Sequence, residues 1–262
     1  MKTKWRQLRR LGMAAVTSLS VSVSVPPPSS ATNNQNQSAP TFSGPQTVVL
    51  LHGLGRSARN MLILKWRLQA RGYDVCNVDY KTRVRSIDEA VDSVLRTLDD
   101  CVMPGATIHF VTHSLGGLVL RRLLSRQTFP LAGRAVMLAP PNSGSEIADH
   151  FKSLPVAKAV LGPLAAKLGT GPDDLPSQLP IPSIPFAVIA GDQWINPAGP
   201  IWLPSPHDGT VSVESTRLSG MDDHLVLPYT HTFIMHPAVV ADQIDSFLRV
   251  GHFDRSADAA SR

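Results

Sequence analysis

A serine in the middle of the chain has the neighbours that a nucleophile needs. Residues 112–117 read THSLGG, with Ser114 between an apolar β-type run and a helical pattern. A tight strand-to-helix turn exposes a serine hydroxyl, and the small residues that follow let two backbone segments approach closely. The helix N-terminus also favours negative charge on a reacting oxygen. The segment predicts nucleophilic catalysis by Ser114, although Thr112 stands where the usual pattern has glycine.

A nucleophilic serine also needs a base and an acid that orients the base, and the sequence after Ser114 offers several of each. The candidate acids are Asp192 and Asp208, which both follow the run at 186–191. The candidate bases are His224, His231 and His236. Spacing leaves these alternatives open, because only folded geometry separates them.

The elements that must position these residues alternate along the chain. β-type runs are predicted at 47–53, 73–80, 107–114, 134–140 and 186–191, and helices at 58–70, 87–98, 115–126 and 237–250. Several of the runs are continuously apolar, which is typical of strands buried on both faces. The pattern predicts an α/β fold with a mostly parallel sheet of about six strands, flanked by helices.

An insertion at about 142–185 interrupts this alternation with an apolar helical stretch and a Pro-rich passage. Insertions after the carboxyl end of a strand lie over the site in such sheets, so we predict a small cap or lid. Its apolar residues favour an acyl-chain pocket, although packing of a peripheral helix on the core gives the same composition. They are Leu154, Val156, Val160, Leu161 and Leu164.

Taken together, the motifs resemble the bacterial secreted lipase and esterase branch of the α/β-hydrolase superfamily, from about residue 47 to residue 250. They are VVLLHGLG, FVTHSLGG, VMLAPPNSGSE, DGTVSVEST and HTFIMHP. Each motif is weak alone, but their combination in this order is specific. The resemblance implies the α/β-hydrolase fold and a lipase or carboxylesterase that acts on a small-molecule or lipid ester.

The resemblance also implies roles for individual residues. Ser114, Asp208 and His231 would form a Ser-His-Asp triad, with Asp208 in the acid loop and His231 just before the last helix. The backbone N–H groups of Leu54 and Leu115 would form the oxyanion hole. No cofactor is implied, contact with a membrane or lipid surface stays an alternative, and the oligomeric state stays open.

Other functions compete with this interpretation. Residues 53–58 match the dinucleotide-binding fingerprint with alanine at its last position, and Asp79 could bind the ribose. That hypothesis leaves Ser114 and the C-terminal histidines unexplained. A catalytically silent hydrolase-like binding module stays open, as does an acyltransferase or thioesterase, because a fold does not determine a substrate.

The remaining histidines have structural interpretations. We expect His52 to brace the predicted oxyanion loop, His109 to lie within a strand and His113 to point away from the turn. No HExxH, CxxC or EF-hand spacing occurs, so no metal is predicted.

The N-terminus has the composition of an export signal. Residues 1–31 hold five basic residues, an apolar run of 15 residues at 11–25, and a small-residue stretch, Ser29-Ser30-Ala31. We predict a cleaved signal peptide at 1–31, with a membrane anchor as the alternative, and hence a secreted or periplasmic protein. A flexible linker at 32–46, a catalytic domain at 47–253 and a loose tail at 254–262 complete the predicted organisation.

The positive charge of the chain belongs to this leader. The formal net charge is +5 and the leader contains five basic and no acidic residues, so the rest of the chain is neutral. Nucleic-acid binding is therefore not predicted. Cys76 and Cys101 are the two cysteines, and in an exported protein they predict a disulfide, with two buried free thiols as the alternative.

Overall fold

Six parallel strands form one sheet in the part of the chain that the structure describes. The computed structural model describes residue 42 and residues 44–152, 161–195 and 199–256. The strands are β1 (Gln46–Leu51), β2 (Asp74–Val78), β3 (Thr107–His113), β4 (Ala132–Leu138), β5 (Phe186–Gly191) and β6 (Asp223–Leu227). They pair in the order β2-β1-β3-β4-β5-β6, and every pair is parallel.

Helices cover both faces of this sheet. They are α1 (Leu62–Gln69), α2 (Ile87–Cys101), α3 (Leu115–Arg126), α4 (Glu146–Phe151), α5 (Leu175–Gln178), α6 (Gly199–Trp202) and α7 (Ala238–Val250). Short 3₁₀ segments lie at Ala58–Met61, Pro163–Lys167 and Glu214–Thr216. Helices α2 and α3 share one hydrophobic cluster with the sheet, and α1 and α7 share the other.

The strand β1 illustrates why this arrangement forms. Val48 and Leu50 belong to the cluster of α1 and α7, whereas Val49 and Leu51 belong to the cluster of α2 and α3. A strand with apolar side chains on both faces is stable only between two layers of helix, because burial of apolar area drives folding. The predicted α/β fold, with a sheet of about six strands and flanking helices, is confirmed.

The sixth strand was not among the predicted runs. β6 has the sequence DHLVL, and only its central Leu225 is buried. A short strand that is partly exposed resembles a loop in composition. The single helix predicted at 58–70 is two segments in the structure, a 3₁₀ turn at 58–61 followed by α1.

Cys76 and Cys101 form a disulfide that joins β2 to the last residue of α2, with their Cα atoms 5.6 Å apart. The two predicted terminal segments fall largely outside the described residues. Of the predicted loose tail, residues 254–256 are described: Asp254 N–H donates to Gln243, and Arg255 pairs with Asp223. No helix within the described ranges has the length and apolarity needed to cross a membrane.

The described part of the predicted cap, 142–152 and 161–185, is fastened to α3 by a buried arginine. The guanidinium of Arg121 donates to the backbone oxygens of Asn142, Pro176, Leu179 and Pro180. Burial lowers the pKa of Arg121 to about 10, and its side chain has carbonyl oxygens rather than a carboxylate as partners.

Replacing Arg121 by methionine is expected to lower the free energy of unfolding by roughly 3 to 5 kcal/mol, because buried carbonyls lose a charged donor. The matched control is Arg122→Met one position along α3. Arg122 pairs with Asp88 near the surface, so its loss should cost about 1 kcal/mol or less. Urea unfolding followed by circular dichroism measures both, and equal losses would contradict the special role of Arg121.

Candidate active site

The carboxyl edge of the sheet brings together the loops that the sequence singled out. His52 and Gly53 follow β1, and Ser114 follows β3. Asp208 lies in the connection between β5 and β6, and His231 lies between β6 and α7. Because all six strands are parallel, these loops meet at one edge of the sheet.

Ser114 occupies a strained turn. Its backbone has φ 53° and ψ −124°, a conformation that side-chain-bearing residues rarely adopt, and its N–H donates to the oxygen of Leu138 at 2.9 Å. Gly116 makes the turn possible, because a Cβ there would lie 2.5 Å from the backbone oxygen of Leu51. The turn presents the Ser114 hydroxyl at the start of α3.

Three predicted side chains form a continuous hydrogen-bonded chain. His231 Nε2 lies 3.0 Å from Ser114 Oγ, and His231 Nδ1 lies 2.7 Å from Asp208 Oδ2. An Nδ1–H that donates to the carboxylate leaves Nε2 free to accept the serine proton. The Asp208 side chain is 1% exposed and that of His231 is 12% exposed, so water is largely excluded from this contact.

The carboxylate of Asp208 is held by its own loop. Its Oδ1 accepts the backbone N–H groups of Thr210 and Val211 at 2.9 and 2.8 Å. The backbone oxygen of Asp208 also accepts the N–H of His231 at 3.0 Å. These bonds orient one carboxylate oxygen toward His231 and leave the other occupied.

The structure places the other candidate residues elsewhere. Asp192 is partly exposed, and its carboxylate accepts the side-chain amide of the adjacent Gln193. The His224 ring bonds to Thr216, and the His236 ring packs 5.6 Å from that of Phe233. Of the predicted acids and bases, only Asp208 and His231 join Ser114.

The loop after β1 lies against Ser114. A Cβ built on Gly53 would approach Ser114 Cβ to 3.1 Å, and Leu54 lines the same cavity as Ser114. Tyr80 N–H donates to His52 Nε2 at 3.4 Å, so the neutral ring donates from Nδ1 to the oxygen of Gly53. Burial lowers the pKa of His52, which keeps this ring neutral. The position of Leu54 is compatible with an oxyanion hole, and its role stays a prediction.

His113 does not point away from the site, contrary to our expectation. Its Nε2–H donates to the backbone oxygen of His231 at 2.9 Å, and its ring centre lies 4.9 Å from that of His231. Burial and the neighbouring His231 hold the pKa of His113 well below its usual range. A neutral His113 therefore braces His231, a contact that strand periodicity alone could not indicate.

A cavity of about 250 Å³ opens onto Ser114 and His231. Its wall is mostly apolar and comes largely from the predicted insertion: Ile147, Ala148, Phe151, Leu161, Ala165 and Leu168. Of the five apolar residues expected to favour an acyl pocket, Leu161 lines the cavity, whereas Leu164 is buried in the core. Leu154, Val156 and Val160 fall outside the described residues.

A polar network that the sequence did not indicate joins this wall to the loop of Asp208. Glu146, the first residue of α4, accepts the hydroxyls of Ser212 and Ser215 at 3.3 and 3.2 Å. Ser145 Oγ donates to the backbone oxygen of Thr210 at 2.7 Å. These bonds connect the start of α4, in the wall of the cavity, to the acid loop.

Two backbone donors of the fingerprint at 53–58 are already engaged within the protein. Gly55 N–H donates to Thr82 Oγ1 at 3.0 Å, and Ala58 N–H donates to Asp79 Oδ1 at 3.1 Å. A dinucleotide phosphate would need such N–H groups free. Across the described residues, no group of three or more His, Cys, Asp or Glu side chains could hold a metal ion.

Comparison with solved structures identifies the class of fold. The parallel six-stranded sheet with helices on both faces is the α/β-hydrolase fold, and the solved structures it resembles are lipases and esterases. No protein-family model and no curated protein sequence matches the chain. The likeness is therefore one of fold, at a low level of sequence identity.

Three solved structures are representative of that likeness. The mature form of a lipase from Bacillus licheniformis is 16% identical with a TM-score of 0.62, covering 81% of this chain and 94% of the other. A metagenomic carboxyl esterase is 17% identical with a TM-score of 0.53, covering 75% and 68%. A lipase-esterase related protein from Clostridium acetobutylicum is 14% identical with a TM-score of 0.51, covering 80% and 98%.

Proposed function

We propose that this protein is a serine hydrolase that cleaves carboxylic esters through an acyl-enzyme on Ser114. The observation that carries the proposal is the chain of contacts from Ser114 Oγ through His231 to Asp208, at 3.0 and 2.7 Å, beside an apolar cavity. The lipase and esterase folds of the solved structures support the same reaction class.

In the proposed first half-reaction, Ser114 Oγ attacks the ester carbonyl carbon and His231 Nε2 takes the hydroxyl proton. The negative charge of the tetrahedral intermediate develops on the former carbonyl oxygen, next to the N–H groups of Leu54 and Leu115. Fixed donors at such a site lower the barrier by about 3 to 4 kcal/mol each. The intermediate collapses when the C–O bond breaks and His231 returns the proton to the leaving alcohol.

In the second half-reaction, water attacks the acyl-enzyme. His231 accepts the proton of that water and then donates it to Ser114 Oγ as the carboxylic acid leaves. Asp208 stays ionised, holds His231 in the tautomer with Nδ1–H, and stabilises the imidazolium that forms. His113 braces the backbone of His231 without adding charge.

The apolar wall supports an acyl group with a hydrocarbon chain as the preferred substrate. Chains that displace water from apolar side chains gain about 0.8 kcal/mol per buried CH₂. An esterase or lipase with this preference hydrolyses longer p-nitrophenyl esters with a higher kcat/KM than the acetate. A fluorophosphonate probe should label the wild-type protein, because an activated serine reacts with it. If the protein neither hydrolyses any of these esters nor reacts with the probe, the proposal is overturned and a silent binding module is favoured.

Narrowing the cavity should change chain-length preference. In Ala148→Trp, kcat/KM for the octanoate ester is expected to fall roughly tenfold or more relative to the acetate, because the indole occupies space meant for the acyl chain. Ala70→Trp, at an exposed position outside the cavity, is the matched control. An equal loss with both esters would show that Ala148 is remote from the acyl chain.

We also propose that the protein is exported, through cleavage of the leader at 1–31. The disulfide between Cys76 and Cys101 supports this, because disulfides persist in oxidising compartments.

An acyltransferase or thioesterase would use the same side chains. Adding an alcohol acceptor to the ester assay separates acyl transfer from hydrolysis, and an acyl-thioester substrate tests for thioesterase activity.

A further inference from the structure

Basic residues are concentrated in one stretch of the folded domain. Between Gly53 and Tyr73 the sequence has five Arg and Lys residues and no Asp or Glu. Helix α2, on the opposite face of the sheet, has the reverse composition, with five acidic residues and one basic residue. A neutral domain can therefore still have a locally basic side.

Large apolar side chains are exposed beside these cations. On α1, Trp66 is 62% exposed and Ile63 is 37% exposed, and a spacing of three residues places them on one side of the helix. Phe233, in the turn after β6, is 48% exposed. Arg67 Nε–H donates to the oxygen of His236, which places that turn beside α1. We name the following set the basic aromatic surface: Arg56, Arg59, Ile63, Trp66 and Phe233.

This surface borders the cavity that contains Ser114. Arg56 lines the cavity, and so does Thr232, the neighbour of Phe233. Among the described residues, no carboxylate lies within salt-bridge distance of Arg56 or Arg59. The Asp79 side chain, which is 72% exposed, lies at the border of the surface, where it accepts the N–H of Ala58.

We propose that the basic aromatic surface docks the protein onto an anionic lipid surface, with the mouth of the cavity at its edge. Arginine side chains attract anionic headgroups, and tryptophan and phenylalanine enter the apolar boundary beneath them. A second copy of the chain is a poorer occupant, because a two-fold contact would bring the same cations together. The docking is independent of the chemistry at Ser114.

Sedimentation with vesicles tests the proposal. The vesicles contain phosphatidylcholine alone or with phosphatidylglycerol. The proteins are the full chain and a chain from Thr32, which lacks the basic leader and retains the compact unit Thr41–Arg262. Using Ser114→Ala as the background prevents hydrolysis of the lipid and separates docking from the proposed reaction.

The double variant Arg59→Glu with Trp66→Ala is compared with a control variant, Arg96→Glu with Leu131→Ser. The control changes an exposed cation on α2 and an exposed leucine outside the surface. Without the leader, the background protein should bind the anionic vesicles and lose binding as salt rises beyond about 0.1 M. The test variant should bind at least about tenfold more weakly, and the control should bind normally.

Neither Arg59 nor Trp66 lines the cavity. When the test substitutions are made in the protein that retains Ser114, the hydrolysis of soluble esters and the thermal unfolding should therefore be unchanged. Equal vesicle binding by test and control variants would overturn the proposal. Equal binding of the background protein to neutral and to anionic vesicles would overturn the proposed preference for anionic lipid. A dimer that dissociates in the test variant, without vesicle binding, would assign the surface to self-association instead.

Discussion

Replacing Ser114 by alanine is expected to lower kcat/KM for a p-nitrophenyl ester by at least about 10⁴-fold, because the attacking oxygen is removed while the cavity and its donors remain. The Ser114 hydroxyl lies 3.0 Å from His231 Nε2. Initial-rate kinetics measure the loss. Mass spectrometry after fluorophosphonate treatment should detect an adduct on the wild type and none on the variant.

Ser145→Ala is the matched control, because Ser145 also lines the cavity. Its hydroxyl donates to the oxygen of Thr210 rather than to a histidine, so this variant should still be labelled. Labelling of Ser114→Ala at an unchanged rate would place the nucleophile at another residue. If both variants lose labelling although they unfold normally, the reactivity of the site depends on the wall of the cavity as well as on Ser114.

The second large effect is expected for Asp208→Asn, which should lower kcat by about 10⁴-fold. The amide keeps the size of the side chain, but with its oxygen toward Thr210 and Val211 its NH₂ group faces His231 and donates to Nδ1. This favours the tautomer with Nε2–H, which cannot take the Ser114 proton. The N–H groups of Thr210 and Val211 can still bond to the amide oxygen, which should preserve the loop. Stopped-flow or steady-state assays on an activated ester measure this loss.

Asp192→Asn distinguishes the two acids that spacing could not separate. Asp192 is bonded to Gln193 near the surface, so its change should alter kcat by about threefold or less. A larger loss in Asp192→Asn than in Asp208→Asn would show that the acid has been assigned to the wrong residue. Thermal unfolding of both variants excludes an indirect effect of misfolding.

The local elements of this protein were predictable because they depend on residues close in sequence. Helix α3 begins and ends at Leu115 and Arg126 as predicted, since its apolar residues recur with the helical period. The runs at β1, β3 and β5 predicted buried strands because they are continuously apolar, as strands covered on both faces are. The exception was β6, a five-residue strand whose exposed positions remove the apolar signal.

The candidate site was predictable in part. The turn at Ser114 is local, so its motif is readable from the chain. His113 was misjudged, because its bond to the oxygen of His231 spans 118 residues. Glu146 and Arg121 were not singled out either, since each acts through partners that are distant in sequence.

The distribution of charge over the folded domain was also predictable only in part. A count of charged residues assigns the excess positive charge to residues 1–31 and leaves the rest of the chain neutral. The count has no information about which helices face the same side, so it could not indicate the basic aromatic surface. That surface depends on the exposure of Trp66 and on the contact between α1 and the turn before α7.

Residue patterns were enough to predict the class of the fold, the turn that exposes Ser114 and the short set of acids and bases that could serve it. Backbone geometry imposes the periods of helices and strands, so these features are encoded within a few residues. The family resemblance favoured Asp208 and His231 among these candidates, and the folded chain brings both into one line of contacts with Ser114. The order of strands in the sheet brings their loops to one edge, where the contact between Ser114 and His231 spans 117 residues.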